Sequence, residues 1–112
     1  MDYKKNKLTN AYAIKITAED HGQTIGRLFL YVLTNDLHKE PFGFLEDVFV
    51  EEAYRKHGIG SELVKMAIEE AKAQGCYKLI GNSRTFAGAV HKFYEKLGFK
   101  KWGYEFRMEL KN

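Results

Sequence analysis

The sequence predicts a mixed α/β (α+β) chain built on one sheet, in the order β-β-β-α-β-α-β. Three observations carry this. The first fifty residues hold β-branched and aromatic runs broken by turn signals, apolar spacing changes to a helical period after Gly60, and strict alternation returns from Trp102. A hydrophobic content of 45%, with seven Tyr and eight Phe in 112 residues, suits a sheet-rich single core, and the chain reads as one domain over 1–112.

Each element follows from local pattern. Residues 11–17 alternate, with Tyr12, Ile14 and Ile16 on one face, and predict the first strand. Asp20-His21-Gly22 is a turn signal, so residues 24–33 form its antiparallel hairpin partner, bulged at Gly26. A polar loop through Asn35, Asp36 and His38 reaches Pro41, the only proline. Residues 42–50 are mostly apolar and predict a central strand. Ile59, Leu63, Met66, Ala67 and Ala71 then fall on one helical face, with Glu62, Lys65, Glu69 and Lys72 on the wet side and Gly75 at the end. Tyr77 to Ile80 is a short strand, parallel to the third by the helical crossover. Phe86, Ala89, Val90, Phe93, Tyr94 and Leu97 mark a second helix closed by Gly98. Trp102, Tyr104, Phe106, Met108 and Leu110, alternating with Glu105, Arg107 and Glu109, predict a half-buried terminal strand.

The bulk numbers exclude several classes. No apolar run approaches ~18 residues, so no membrane span is expected. Met1-Asp2-Tyr3-Lys4-Lys5 lacks the apolar core of a signal peptide, and the single cysteine, Cys76, fits a reducing compartment; cytoplasm is the default. Cys76 reads as a buried apolar group, and four scattered histidines make no metal-ligand pattern. A net charge of +3, with short basic clusters at Lys4, Lys5, Lys7 and at Lys100-Lys101, favours an anionic small ligand over nucleic acid.

The chemistry concentrates where the 42–50 strand meets the first helix, at Arg55-Lys56-His57-Gly58-Ile59-Gly60-Ser61. A helix start leaves several amide N–H groups without intrahelical partners, aimed at one point, and an anion there also meets the positive end of the helix dipole. Gly58 and Gly60 let a diphosphate approach the backbone, Ser61 adds a hydroxyl and Arg55 a positive charge. Two glycines can also serve only to reverse the chain; Arg55 before Gly-Ile-Gly tips the reading toward an anion.

Arg55-Lys56-His57-Gly58-Ile59-Gly60 resembles the acetyl-CoA-binding signature (Arg/Gln-x-x-Gly-x-Gly/Ala) of the GNAT family of N-acetyltransferases. His91-Lys92-Phe93-Tyr94-Glu95-Lys96-Leu97-Gly98-Phe99 resembles its second hallmark, a helix ending in Tyr-x-x-x-Gly-Phe, and the resemblance covers roughly 24–110. Within the family, Leu45 to Val50 with Tyr54-Arg55 is most similar to the polyamine/thialysine branch. The resemblance implies a GNAT-like sheet and acetyl-CoA as cosubstrate without a metal. It implies that the backbone of Val48, Phe49 and Val50 pairs with the pantetheine arm and that Lys56 to Ser61 hold the pyrophosphate. It also makes Tyr94 the general acid and Glu46 the acceptor contact and base.

Each role has a plainer alternative. An amine of pKa ~10.4 must lose a proton before attack, at about 4–5 kcal/mol at pH 7, so a base or water relay is useful. Glu46 or Asp47 could supply it; equally, one acid faces solvent at a strand bulge and the other caps a loop. The Val48 N–H is the natural donor to an oxyanion. Tyr94 could be ordinary core, as could the side chains of Phe49 and Val50. Arg84 touches the adenosine phosphate or sits on the surface.

The resemblance also departs from the family pattern. Members carry a further strand and two helices before the first hairpin, whereas this chain starts almost at that hairpin. The expected consequence is an acceptor side left open or closed by a second copy, as in a homodimer. Ala87 stands where many members have Asn, which removes one side-chain contact to CoA, and these departures together put polyamine specificity in doubt. The expected activity is acetyl transfer to a primary amine of a small molecule, peptide or protein. The competing class is a catalytically silent acyl-CoA-binding sensor or assembly module, with an RNA-associated domain last.

Overall fold

The computed structural model describes residues 1–83 and 88–111. The chain divides into two compact units, Met1–Gly81 and Asn82–Asn112.

In the first unit, β1 (Tyr12–Asp20), β2 (Gln23–Leu33) and β3 (Phe42–Val50) are antiparallel neighbours, and β4 (Leu79–Gly81) joins β3 in parallel. The sheet order is β1-β2-β3-β4. The hairpin turn uses His21 and Gly22 at φ 50° and 79°, the two positive values that a two-residue turn needs to match strand twist. The β1–β2 register shifts between Ala18 and Glu19, opposite Gly26 and Thr24, so the extra residue is Ile25, beside the glycine expected to be bulged. Ile25 is buried, which a bulge permits by re-aiming its side chain.

Helix α1 (Ile59–Ala73) covers one face of this sheet. Its Leu63, Val64, Ala67 and Ala71 are buried with Leu28, Leu30, Val32 and Leu45. Val64, which no periodic reading singled out, is fully buried, whereas Met66 is 53% exposed. Glu62–Lys65 and Glu69–Lys72 ion pairs line the wet side as expected. Gly43 faces α1 and is needed for close packing: a Cβ there would stand 2.9 Å from Leu79 Cδ1 and 3.1 Å from Leu30 Cδ1. Gly75, at φ 81°, ends the helix, with Gly75 and Cys76 N–H groups bonded back to Lys72 and Ala71 carbonyls. Cys76 packs against the Leu30–Val32–Ala71 cluster, and burial pushes its thiol pKa up, so it stays protonated.

The opposite face carries Lys15 across from Phe29 and Glu46, and Thr17 across from Arg27 and Phe49. The short parallel strand begins at Leu79 rather than Tyr77; the Tyr77 N–H instead bonds the Pro41 carbonyl.

The second unit contains α2 (Gly88–Lys96), closed by Gly98 at φ 99° with the Phe99 N–H returning to the Tyr94 carbonyl. Its apolar stripe is only half-buried at Phe93, Tyr94 and Leu97, and Ala89 and Val90 are exposed. Phe86, Ala87 and Arg84 lie outside the described residues. The terminal strand expected from Trp102 is not formed. Trp102, Tyr104, Phe106, Met108 and Leu110 are 80–94% exposed, and residues 102–110 carry no strand. Alternation specifies which side of a strand is apolar, but a strand exists only where a neighbouring backbone takes its N–H and C=O groups.

Candidate functional site

The site is built by an interruption in β3. Before it, Leu45 pairs with Leu30 and Glu46 with Phe29; after it, Phe49 pairs with Arg27, so three steps on β3 match two on β2. The extra residue falls at Asp47-Val48, and Asp47 sits at φ 54°, a left-handed conformation that Asp tolerates better than most side chains. On the other side of β3, pairing with β4 stops at Leu45, two residues before the bulge. Among the described residues, the stretch from Glu46 to Val50 therefore has a ladder partner on one side only.

Alternation decides which groups face the open side. The Glu51 N–H bonds Ile25 O at 2.8 Å, which turns Glu51 and Phe49 toward β2 and Val50 toward the unpaired edge, with Val48 beside it in the bulge. The Val50 carbonyl on that edge accepts the Arg55 Nε–H at 2.8 Å. Arg55 also lies over the Phe49 ring, 5.4 Å from its centroid, and Arg27 lies over the same ring at 4.7 Å. Arg55 is thus partly committed to holding the end of β3.

Beyond β3, a 3-10 turn (Glu52–Tyr54) leads into the glycine-bearing loop. Tyr54 Oη donates to Asp20 Oδ2 at 2.7 Å, and that hydrogen bond, then burial and the carboxylate charge, raise the phenol pKa. Lys56 (φ 67°) and Gly58 (φ 81°) are both left-handed. Gly58 is the N-cap of α1 and supplies no side-chain cap, and the first intrahelical bond is Glu62 N–H to Gly58 O at 3.0 Å. The amides of Ile59, Gly60 and Ser61 consequently have no intrahelical acceptor. A Cβ placed on Gly58 would meet nothing within 4 Å, so the turn opens outward. A shallow groove of about 250 Å³ runs beside this turn, lined by His57, Gly58, Ile59, Glu62, Leu63 and Met66 with Thr17 and Ala18 of β1.

The first unit therefore brings together Glu46, Val48, Phe49 and Val50 along one interrupted strand and Arg55, Lys56, His57, Gly58, Ile59, Gly60 and Ser61 along the loop that follows. Tyr94 belongs to the second unit, stacked edge-on between Phe93 and Phe99 with centroids at 5.5 and 5.2 Å. It is half-buried, and burial raises its pKa, so the phenol keeps its proton through neutral pH. The sequence reading missed the Asp20–Tyr54 bond and the placement of Arg27 over Phe49. Neither pairing, 34 and 22 residues apart, has a local signal.

No helix among the described residues is long and apolar enough to cross a membrane. Nor does a cluster of three potential His, Cys, Asp or Glu metal ligands occur among them.

Glucosamine 6-phosphate N-acetyltransferase of Trypanosoma brucei brucei is 38% identical over 68 residues, 61% of this chain and 44% of that protein. Aminoglycoside N(6')-acetyltransferase type 1 of Acinetobacter haemolyticus is 29% identical over 99 residues, 84% of this chain and 67% of that one. The crystal structure of a Trypanosoma brucei acetyltransferase superposes with a TM-score of 0.79 at 29% identity, covering 88% of this chain and 69% of that one. The chain spans less than half the length of the first two curated relatives it matches. These relatives do not single out the polyamine branch. The sequence profile described as "Acetyltransferase (GNAT) family" matches residues 2–99, nearly the whole length, and with the interrupted strand feeding an uncapped helix it shows that the chain belongs to that family.

Proposed function

We propose that the protein is an acetyl-CoA-dependent N-acetyltransferase acting on a primary amine by direct attack in a ternary complex. The observation that carries this is the one-sided stretch of β3 running into the uncapped start of α1. An extended pantetheine arm can pair with Val48 and Val50 as a strand would, and its diphosphate can take the orphan amides of Ile59, Gly60 and Ser61. These residues fit the cosubstrate: the edge has no ladder strand, although its Val50 carbonyl already accepts from Arg55, the cap is a left-handed glycine, and Arg55, Lys56 and His57 add donors.

When bound, acetyl-CoA supplies a thioester carbonyl as acyl donor. Glu46, exposed at the bulge, holds the acceptor amine and receives its proton, directly or through water. The Val48 N–H donates to the thioester oxygen as it gains charge, which a fixed amide does without reorganisation. Tyr94 protonates the departing sulfur; its raised pKa keeps that proton available at neutral pH. Phe49 and Val50 contribute backbone and, through Phe49, the ring on which Arg27 and Arg55 rest.

The acceptor class, a primary amine, is common ground with relatives named for amino-sugar phosphates and aminoglycosides. The cytoplasm is the proposed setting, consistent with a lone protonated Cys76, and a homodimer is the proposed assembly. Screening primary amines with acetyl-CoA, reading thiol release, tests the proposal. Tight CoA binding with no release for any amine would leave a silent acyl-CoA-binding module instead.

A further inference from the structure

The sheet face turned away from α1 places two unlike charges side by side. Glu46 stands opposite Phe29, and Arg27 opposite Phe49, so the two are diagonal neighbours on adjacent strands, about 7–8 Å apart at the backbone. Such a pair would normally close on itself. It does not: none of the ion pairs among the described residues includes Glu46 or Arg27. The guanidinium of Arg27 instead lies on the Phe49 ring, which it shares with Arg55.

Two guanidiniums on one aromatic ring repel each other, and each keeps planar N–H donors directed outward from the ring. An oxyanion settling beside Arg27 relieves that repulsion and gains charge-assisted hydrogen bonds. Lys15, over Phe29 at 5.5 Å, adds positive charge to the same face. Glu46 is exposed, on the β3 bulge where the amine must arrive.

We infer, resting on the acetyltransferase reading above, that the acceptor is a primary amine that also bears an anionic group, phosphate or carboxylate, a few bonds from the nitrogen. Glu46 takes the ammonium and Arg27 the anion. A cationic polyamine meets repulsion where this acceptor meets a partner.

The test compares aminopropyl phosphate, β-alanine, butylamine and putrescine on the full chain with CoA present. Binding is measured by calorimetry, and thiol release from acetyl-CoA is measured in parallel. Aminopropyl phosphate is expected to bind on the order of tenfold tighter than butylamine, with β-alanine between and putrescine weakest. Arg27→Glu is expected to reverse the order, putting putrescine first, a gain that misfolding cannot mimic. Equal binding of all four by the wild type would overturn the inference. So would Arg27→Glu lowering CoA affinity while the order of amines stays unchanged, since Arg27 would then serve the cosubstrate. Selective binding of aminopropyl phosphate without thiol release from any amine would sink the acetyltransferase reading and leave the anion-selective face standing.

Discussion

The Tyr54 hydroxyl donates to the Asp20 carboxylate at 2.7 Å, joining the turn before the glycine-bearing loop to the far end of β1. The bond holds the loop against the sheet from outside the loop itself. Removing it in Tyr54→Phe should lower Tm and raise KM for acetyl-CoA on the order of three- to tenfold, with a smaller change in kcat. The pH dependence has a definite sign. A phenol whose pKa is raised on folding stabilises the fold fully below its ordinary value of about 10 and loses that contribution as pH climbs through the raised value. Thermal melts should therefore show the gap between wild type and Tyr54→Phe closing at strongly alkaline pH. A gap independent of pH would mean that the variant acts through packing alone.

Asp47 occupies its left-handed conformation inside a strand, and the bulge depends on it. Asp47→Gly removes the backbone penalty and should be near neutral in stability. Asp47→Val imposes a β-branched side chain there and should destabilise by about 1–3 kcal/mol. Denaturant melts of the two variants decide the point, and equal loss in both would argue that the carboxylate rather than the backbone matters.

Gly60 contributes one of the amides at the start of α1. Gly60→Glu puts bulk and negative charge beside the proposed diphosphate position and should reduce CoA affinity by at least on the order of a hundredfold. Circular dichroism would establish that the variant is folded, and unchanged affinity in a folded sample would refute the cradle.

Tyr94→Phe keeps the aromatic contacts with Phe93 and Phe99 while deleting the acidic proton. CoA affinity should hold while kcat falls on the order of 10²-fold or more. Because the acid works only when protonated and burial raises its pKa, the wild-type rate should lose its Tyr94-dependent part only at alkaline pH. A pH–rate profile of both proteins reads this directly.

Much of the first unit was legible in the sequence because its signals are local. Alternation gave β1, a β-branched and aromatic run after a turn signal gave β2, an apolar run gave β3, the helical period gave α1, and Gly75 and Gly98 sit at positive φ after the two helices as their positions implied. The bulge at Asp47 was only partly legible: two adjacent acids in an apolar strand mark an irregularity without saying which way the chain turns. Met66 and Val64 exchanged roles because a wide apolar stripe does not reveal its centre line. The strand expected over 102–110 failed for a different reason, since pairing is a property of two segments and the pattern of one cannot supply the other. The roles of Arg27 and Asp20 were invisible for the same reason.

The halt in β3–β4 pairing at Leu45 also has a signature that needs neither cosubstrate nor amine. β3 lies inside the sheet, yet its last residues are bonded like those of a border strand. In deuterium oxide, the Val48 and Val50 amides should exchange far faster than those of Phe44 and Phe49, although all four belong to β3. Coenzyme A should then slow those two amides selectively, so a single labelled spectrum reports the docking of the pantetheine arm residue by residue.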